Sequence, residues 1–392
     1  MTKIRRFLYT RVAKPVLFSF TPDQTHAMTM KFLFLAGGVP GLARTVRSFS
    51  VRRRPELEID WRGMHFSSPV GLSAGLDKNG QAVPLMKAVG FGFSEVGSVT
   101  ARRCDGNPKP WFYRLPKTQS LVVHAGLANH GVDTILPRLE RLKPAIRDTY
   151  PTVLSIARTN DERASSDEAG LEDFISTVKK AHASQAVQII ELNISCPNAF
   201  AGERFTDPKL FATLLARVAA LKPTKPVFIK MPIELGWKKT KTLIDIADAS
   251  GVVSGLVYGN LKKDRRDVDF KEALPDSVAG GLSGAPTQKL STELVFNTYK
   301  AYGDRFVIVG VGGILTPEDA YEKIKAGATF VELVTGLIMN GPQFIEEVNA
   351  GLAKFLKQDG YSHIREAVGA AHRLNSLYPL RVTPGQPLNF LL

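Results

Sequence analysis

Short, continuous apolar runs separated by amphipathic stretches dominate the chain from Val70 onward. They fall at Val70–Ala74, Phe93–Val99, Thr152–Ile156, Gln188–Asn193, Val227–Met231, Gly255–Tyr258, Phe306–Gly310 and Phe330–Val334. Their apolar residues are largely consecutive rather than alternate, the pattern of strands buried on both faces in a parallel sheet covered by helices. Eight such runs with helical segments between them predict an α/β chain, a (β/α)8 TIM barrel. A doubly wound open sheet is the alternative, but the strand count and the late glycine motifs favour closure. Ahead of the first run, Leu57–Trp61 and Met64–Phe66 flank Arg62-Gly63 and predict a short hairpin that plugs the barrel.

The first 54 residues read differently. Residues 4–20 interleave basic and apolar positions and predict a helix. Thr21-Pro22-Asp23 is a stop and restart, a capping residue followed by proline at the first helical position, and the second helix runs to about Ala36 before Gly37-Gly38. This segment holds eleven Lys and Arg against Asp23 alone, so +10 of the net +14 lies here and the remaining 338 residues are close to neutral. A basic module suggests nucleic acid, but cations interleaved with Phe7, Leu8, Phe18, Phe20, Phe32 and Phe34 suit a membrane interface better, with apolar faces in the acyl region and cations at anionic headgroups. No apolar run reaches the ~18 residues of a membrane span, and no cleavage site follows as in a signal peptide. The expected organisation is a helical module over 1–54, a barrel over 55–371 and a tail over 372–392. Only two cysteines occur, Cys104 and Cys196, giving neither a disulfide framework nor a metal-ligand cluster. No metal site is expected, and a reducing compartment is. The chain is therefore placed on the cytoplasmic face of a membrane, held peripherally.

On a barrel, chemistry is confined to the C-terminal ends of the strands. The fourth run ends in Asn193-Ile-Ser-Cys-Pro-Asn198, which brings amides, a hydroxyl and a thiol to the point where the chain leaves the core. The first ends in Ser73-Ala-Gly-Leu-Asp-Lys78-Asn-Gly80, the second in Gly97-Ser98, the third near Ser155 and the fifth in Lys230. Three glycine clusters follow: Gly280-Gly-Leu-Ser-Gly284, Gly310-Val-Gly312-Gly313 and Thr335-Gly336. The last two sit after strands seven and eight, where barrels commonly bind phosphate through backbone N–H groups. A phosphate-bearing planar cofactor with a lysine beside it points to FMN, because a cation there stabilises the charge of a reduced flavin.

Together these motifs resemble dihydroorotate dehydrogenase, specifically its membrane-associated, quinone-dependent class. The resemblance runs from about Phe7 to Ala371. It rests on Ala74–Gly80, Gly90-Phe-Gly92, Glu95-Val-Gly97, Asn193–Asn198, Gly280–Gly284, Gly310–Ile314 and Glu366-Ala-Val-Gly369. It implies oxidation of dihydroorotate to orotate, with Cys196 as the base at C5, hydride passing from C6 to flavin N5, and electrons going on to quinone. Lys78, Asn193, Asn198 and Asn260 would bind the pyrimidine. Ala74, Gly75, Lys78, Ser98, Ser155, Asn193, Lys230 and Gly259 would surround the flavin, and Gly284, Gly312, Gly313, Thr335 and Gly336 would hold its phosphate. The two N-terminal helices resemble the family's quinone and membrane module.

The chain also departs from that pattern. Quinone-dependent members usually carry serine where Cys196 stands. Val123 replaces a substrate-binding asparagine, Leu261 a threonine, Ser155 an asparagine near the flavin and Val334 a tyrosine. Each hydrogen bond lost to a buried polar ligand costs about 0.5–1.5 kcal/mol. Either His124, His130 or nearby residues compensate, or the substrate is a less polar relative of dihydroorotate, another cyclic dihydro-compound. A membrane-bound flavoprotein without turnover is a third reading, disfavoured by the joint presence of Lys78, Cys196 and Lys230.

Overall fold

The computed structural model describes residues 2–196 and 204–377. The chain enters the main body through a hairpin, Ile59–Trp61 (β1) and Met64–Phe66 (β2). Arg62 and Gly63 both have positive φ, 49° and 76°, which suits a two-residue turn twisted like the strands it joins. In chain order there follow β3 (Val70–Leu72), β4 (Phe93–Val99), β5 (Phe112–Leu115), β6 (Ser120–Val123), β7 (Thr152–Ile156), β8 (Ile189–Asn193), β9 (Val227–Met231), β10 (Val253–Tyr258), β11 (Gly281–Gly284), β12 (Val307–Val311) and β13 (Phe330–Leu333).

Eight of these strands, β3-β4-β7-β8-β9-β10-β12-β13, close into an all-parallel barrel, which excludes the open sheet. They are the eight apolar runs of the sequence, with ends shifted by a residue or two. The first stops at Leu72 rather than Ala74 because the Ala74 N–H turns aside to the Glu95 carboxylate, 2.8 Å away. At the N-terminal end of the barrel, Phe66 of the hairpin packs 5.7 Å from the Phe93 ring and 4.6 Å from the Phe330 ring, which begin β4 and β13. Gly71 makes room for this plug, since a Cβ there would lie 2.2 Å from the Phe93 ring.

Three features differ from the sequence expectation. Strands β5, β6 and β11 form a separate antiparallel sheet over a small core of Leu115, Val122 and Leu282. The glycine cluster at 280–284 is thus a strand, with Gly281 opposite Val123 and Gly284 opposite Ser120. The N-terminal module holds a further helix, Leu42–Ser50. The Pro22–Gly38 helix starts as expected, Thr21 and Gln24 capping each other reciprocally, but passes through Gly37-Gly38 and ends where Pro40 forces Val39 into extended backbone.

The module is bolted to the barrel by specific bonds. Arg54 pairs with Glu346 through both nitrogens (2.7 and 3.0 Å), the Tyr9 hydroxyl donates to the Ile338 carbonyl (2.7 Å), and Lys14 donates to that of Met339 (2.9 Å). From β5, Arg114 reaches the Phe20 carbonyl (2.8 Å) and the Thr25 hydroxyl (2.7 Å). At the other end, packing continues past residue 371 into the Ala370–Leu377 helix, where His372 stacks on Phe296 with ring centres 4.0 Å apart. Residues 378–392 of the expected tail lie outside the described residues. Among the described residues, no helix is long and apolar enough to cross a membrane.

Phe66 closes the barrel floor at 1% exposure, so Phe66→Ala should lower stability by about 3–5 kcal/mol. Urea unfolding should show this as a lower midpoint with an unchanged slope.

Candidate active site

The C-terminal ends of the barrel strands meet in one cleft of about 1030 Å3, counting its open mouth. Strand β3 leads to Ala74, Gly75 and Lys78, β4 ends in Ser98, β8 leads through Asn193 to Cys196, and β9 carries Lys230. Strand β10 leads to Gly259 and Asn260; Gly284 closes β11; Gly312 and Gly313 follow β12, and Thr335 and Gly336 follow β13. All line the cleft. Ser155 is close to it but fully buried, one layer beneath Ser98. Asn198 lies outside the described residues.

Under the cleft sits a cluster that the motifs did not announce. Lys230 Nζ lies 3.1 Å from both oxygens of Glu95 and 3.3 Å from the Ser73 hydroxyl, with the lysine and glutamate almost wholly buried. Glu191 and Glu332, also buried, complete the group. Burial works to raise the Glu95 pKa, but the Lys230 charge, hydrogen bonds from Glu191 and Glu332 and the Ala74 N–H together hold it down to about 2. The same burial, joined by the Glu95 charge, raises Glu191 and Glu332 well above the usual carboxylate range. One ammonium cannot balance three carboxylates in a dry interior, so one pair is ionised and two acids are neutral. Burial alone would discharge Lys230; the surrounding carboxylates overcome it and raise its pKa. Lys230 is therefore a fixed cation beneath the cleft. The signal was present in the sequence as glutamates in the middle of the runs Ser-Glu-Val, Ile-Glu-Leu and Val-Glu-Leu.

From this cluster a hydrogen-bond chain runs outward. Ser155 donates to Glu191 (2.7 Å) and meets Ser98 (2.9 Å), and Asn193 donates to Ser98 (2.8 Å). The carbonyl end of Asn193 accepts from the N–H and hydroxyl of Ser195, and Asn260 donates to the same hydroxyl at 2.7 Å. The two asparagines are thus oriented by Ser195, one residue before Cys196. Across the cleft, Lys78 donates to the Gly75 carbonyl (2.6 Å) and stands 5.0 Å over the Phe112 ring. Burial lowers its pKa to about 8, a fall limited by Asp77 and Asp23. His26 of the N-terminal module touches the same loop at the Leu76 carbonyl (3.0 Å).

The far end of the cleft has a floor of bare backbone. Gly284, Gly312 and Gly313 have positive φ, and a Cβ on them would lie 2.2–2.5 Å from Gln119, Thr287 and Gln288. A Cβ on Gly336 would meet the Ile314 carbonyl at 2.2 Å. Only glycine fits at these positions, and the Thr335 hydroxyl beside them shares a hydrogen bond with that of Ser283 (2.9 Å). Around Cys196 the walls are apolar instead, including Val123, Ala125, Leu127 and Leu261. His124 turns towards Asn107 (3.2 Å) and His130 is exposed; neither lines the cleft, so neither replaces the missing amide.

The rim thus joins bare backbone at one end to a thiol above a buried cation at the other. Residues 56–356 match the family profile for dihydroorotate dehydrogenase, and the chain belongs to that family of flavin-dependent oxidoreductases. It is 35% identical to the dihydroorotate dehydrogenase (quinone) of Anaeromyxobacter dehalogenans, covering 92% of this chain and 96% of that one. It is 34% identical to the protein of that name from Deinococcus deserti, over 93% and 99%. Among solved structures, the ligand-free dihydroorotate dehydrogenase of Eimeria tenella superposes with a TM-score of 0.79 at 28% identity, covering 90% of this chain and 99% of that one.

Lys230→Met should destabilise the fold by about 3–5 kcal/mol at neutral pH by stranding a buried carboxylate. Without the ammonium, burial lifts the Glu95 pKa above its unfolded value, and the folded form then binds a proton that the unfolded form does not. The loss should therefore be larger at pH 8 than at pH 5, the reverse of a simple packing defect, as denaturant titrations at the two pH values would reveal.

Proposed function

We propose that this protein oxidises dihydroorotate to orotate with FMN and quinone, in pyrimidine biosynthesis, at the cytoplasmic face of a membrane. The observation that carries this reading is the convergence of Cys196, Asn193, Lys78 and Lys230 on one cleft whose far end is bare glycine backbone. Bound FMN supplies the acceptor for the hydride leaving C6 and the onward route to quinone. Gly284, Gly312, Gly313, Thr335 and Gly336 would hold its phosphate, with Ala74, Gly75, Ser98 and Gly259 along its ring and Ser155 supporting Ser98 from below. Lys230, which the surrounding carboxylates keep charged, would stabilise the negative charge of a reduced flavin.

Cys196 removes the C5 proton as its thiolate and keeps it as the thiol. Lys78, with a pKa of about 8, is mostly protonated at neutral pH and draws the substrate carboxylate. Asn193 and Asn260 are held in orientation by Ser195 and face the pyrimidine; Asn198 is given the same task by family resemblance alone. The apolar lining at Val123 and Leu261 supports a second reading, a less polar cyclic dihydro-compound on the same chemistry. In anaerobic solution, dihydroorotate should bleach the flavin's visible absorbance and a soluble quinone should restore it. A flavin that excess dihydroorotate leaves oxidised would give the site to that second substrate class. Cys196→Ala should lower the rate of bleaching by about 10²–10⁴-fold, and Cys196→Ser should retain part of it with an optimum at higher pH.

The N-terminal module is assigned to the membrane and to quinone access. All twelve exposed large apolar side chains among the described residues lie between Ile4 and Phe49, and none is on the barrel. Burying one such side chain stabilises association by about 1.5–3 kcal/mol. Changing both Phe32 and Leu35 to Glu should therefore weaken co-sedimentation with anionic vesicles at least about tenfold, while bleaching by dihydroorotate stays intact.

A further inference from the structure

Beside the main cleft lies a second, smaller cavity bounded by Arg158, Asn193, Cys196, Phe174 and Phe205 among others. Arg158 and Cys196 reach it from neighbouring parallel strands, each a few residues beyond the end of β7 or β8. Arg158 is only 6% exposed, and its Nη1 is buried with no hydrogen-bond partner. Its position is built. The guanidinium lies 5.6 Å over the Phe205 ring, and its stem fills the space above Gly170, where a Cβ would be 2.7 Å from Arg158 Cδ.

The acids near it are already engaged. Asp173 accepts from the Thr159 N–H (2.7 Å) and hydroxyl (2.8 Å) and pairs with Arg102 at 3.0 Å. Asp167 pairs with Arg204 through both carboxylate oxygens (2.7 and 2.9 Å). Among the described residues, no carboxylate lines either cavity: the charged groups facing Cys196 there are Arg158 and Arg204 on one side, and Lys78 and Lys230 on the other, the last balanced by Glu95. A buried guanidinium always carries its charge, and leaving it without an anion is costly. Among the described residues, the anion this cavity offers is the one that forms at Cys196.

We propose that Arg158 is the counter-cation of the Cys196 thiolate, a positioning residue that favours the ionised base. The proposal rests on the role given to Cys196 above and accounts for a thiol as base: a cysteine beside a fixed cation is ionised near neutral pH, as a serine is not.

The test is the pH dependence of Cys196 alkylation by iodoacetamide, read by mass spectrometry at the Cys196 peptide of the full-length, flavin-loaded protein. In the wild type the midpoint should fall below the ~8.5 of an unperturbed thiol. Arg158→Gln should raise it by about one unit, a tenfold loss of thiolate at pH 7, and Arg158→Lys should recover part of the shift. The pH profile of flavin bleaching should move by the same amount. A wild-type midpoint at or above ~8.5 overturns the proposal whether or not the variants fold. So does an Arg158→Gln protein that binds flavin normally and alkylates like the wild type. An unchanged alkylation profile with a raised KM for dihydroorotate would give Arg158 to the substrate carboxylate instead, and also overturns it. Failure of the dihydroorotate reading is seen separately, as an unbleached wild-type flavin, and leaves the alkylation midpoints as they are.

Discussion

The site depends on one buried positive charge. Lys230 stands inside the barrel where water cannot solvate it, and it remains charged because Glu95 lies 3.1 Å away while Glu191 and Glu332 stay neutral and donate to that carboxylate. The balance is between one ammonium and one carboxylate: without Lys230 the Glu95 carboxylate is stranded. The serines and asparagines above take their orientation from this group, Ser155 from Glu191, Ser98 from Ser155 and Asn193 from Ser98. Electrostatic balance in the core and side-chain geometry at the rim are thus one problem, solved once.

The strands were legible because a parallel barrel buries both faces, so each strand announces itself as a short solid apolar run with little alternation. Val227-Phe-Ile-Lys-Met231 is the clearest case. The site was legible for a related reason: barrel topology tells which end of each run to inspect, and the side chains found there do converge. What the sequence withheld was long-range. Nothing local in Phe112–Leu115, Ser120–Val123 or Gly281–Gly284 marks them as partners, because two are short and the third reads as a loop. The Glu95–Glu191–Glu332 cluster is likewise assembled from three separate strands, each showing only one odd acid in an apolar context. His124 and His130 were plausible by proximity along the chain, yet the backbone beside β6 turns both away.

The N-terminal module joins the barrel at an informative place. Tyr9 and Lys14 bond the last carbonyls of the short Thr335–Asn340 helix, whose first residues, Thr335 and Gly336, line the cleft. The surface that carries all the exposed large apolar side chains among the described residues is therefore linked to the glycine end of the cleft by six residues of helix. His26 and Arg114 add contacts on the other flank, through Leu76 and β5.

The glycine floor divides the labour between the two ends of the cleft. At the glycine end the cleft is lined by main-chain atoms, and the places where side chains would project are already occupied by Thr287, Gln288, Gln119 and Ile314. No ordinary substitution fits that end without displacing its neighbours. At the thiol end the walls are side chains, Val123 and Leu261 among them, and side chains can change without disturbing the barrel. Such a partition makes the cleft evolvable at one end only: the glycine floor is fixed by the packing of its own backbone, and novelty is confined to the side chains around Cys196.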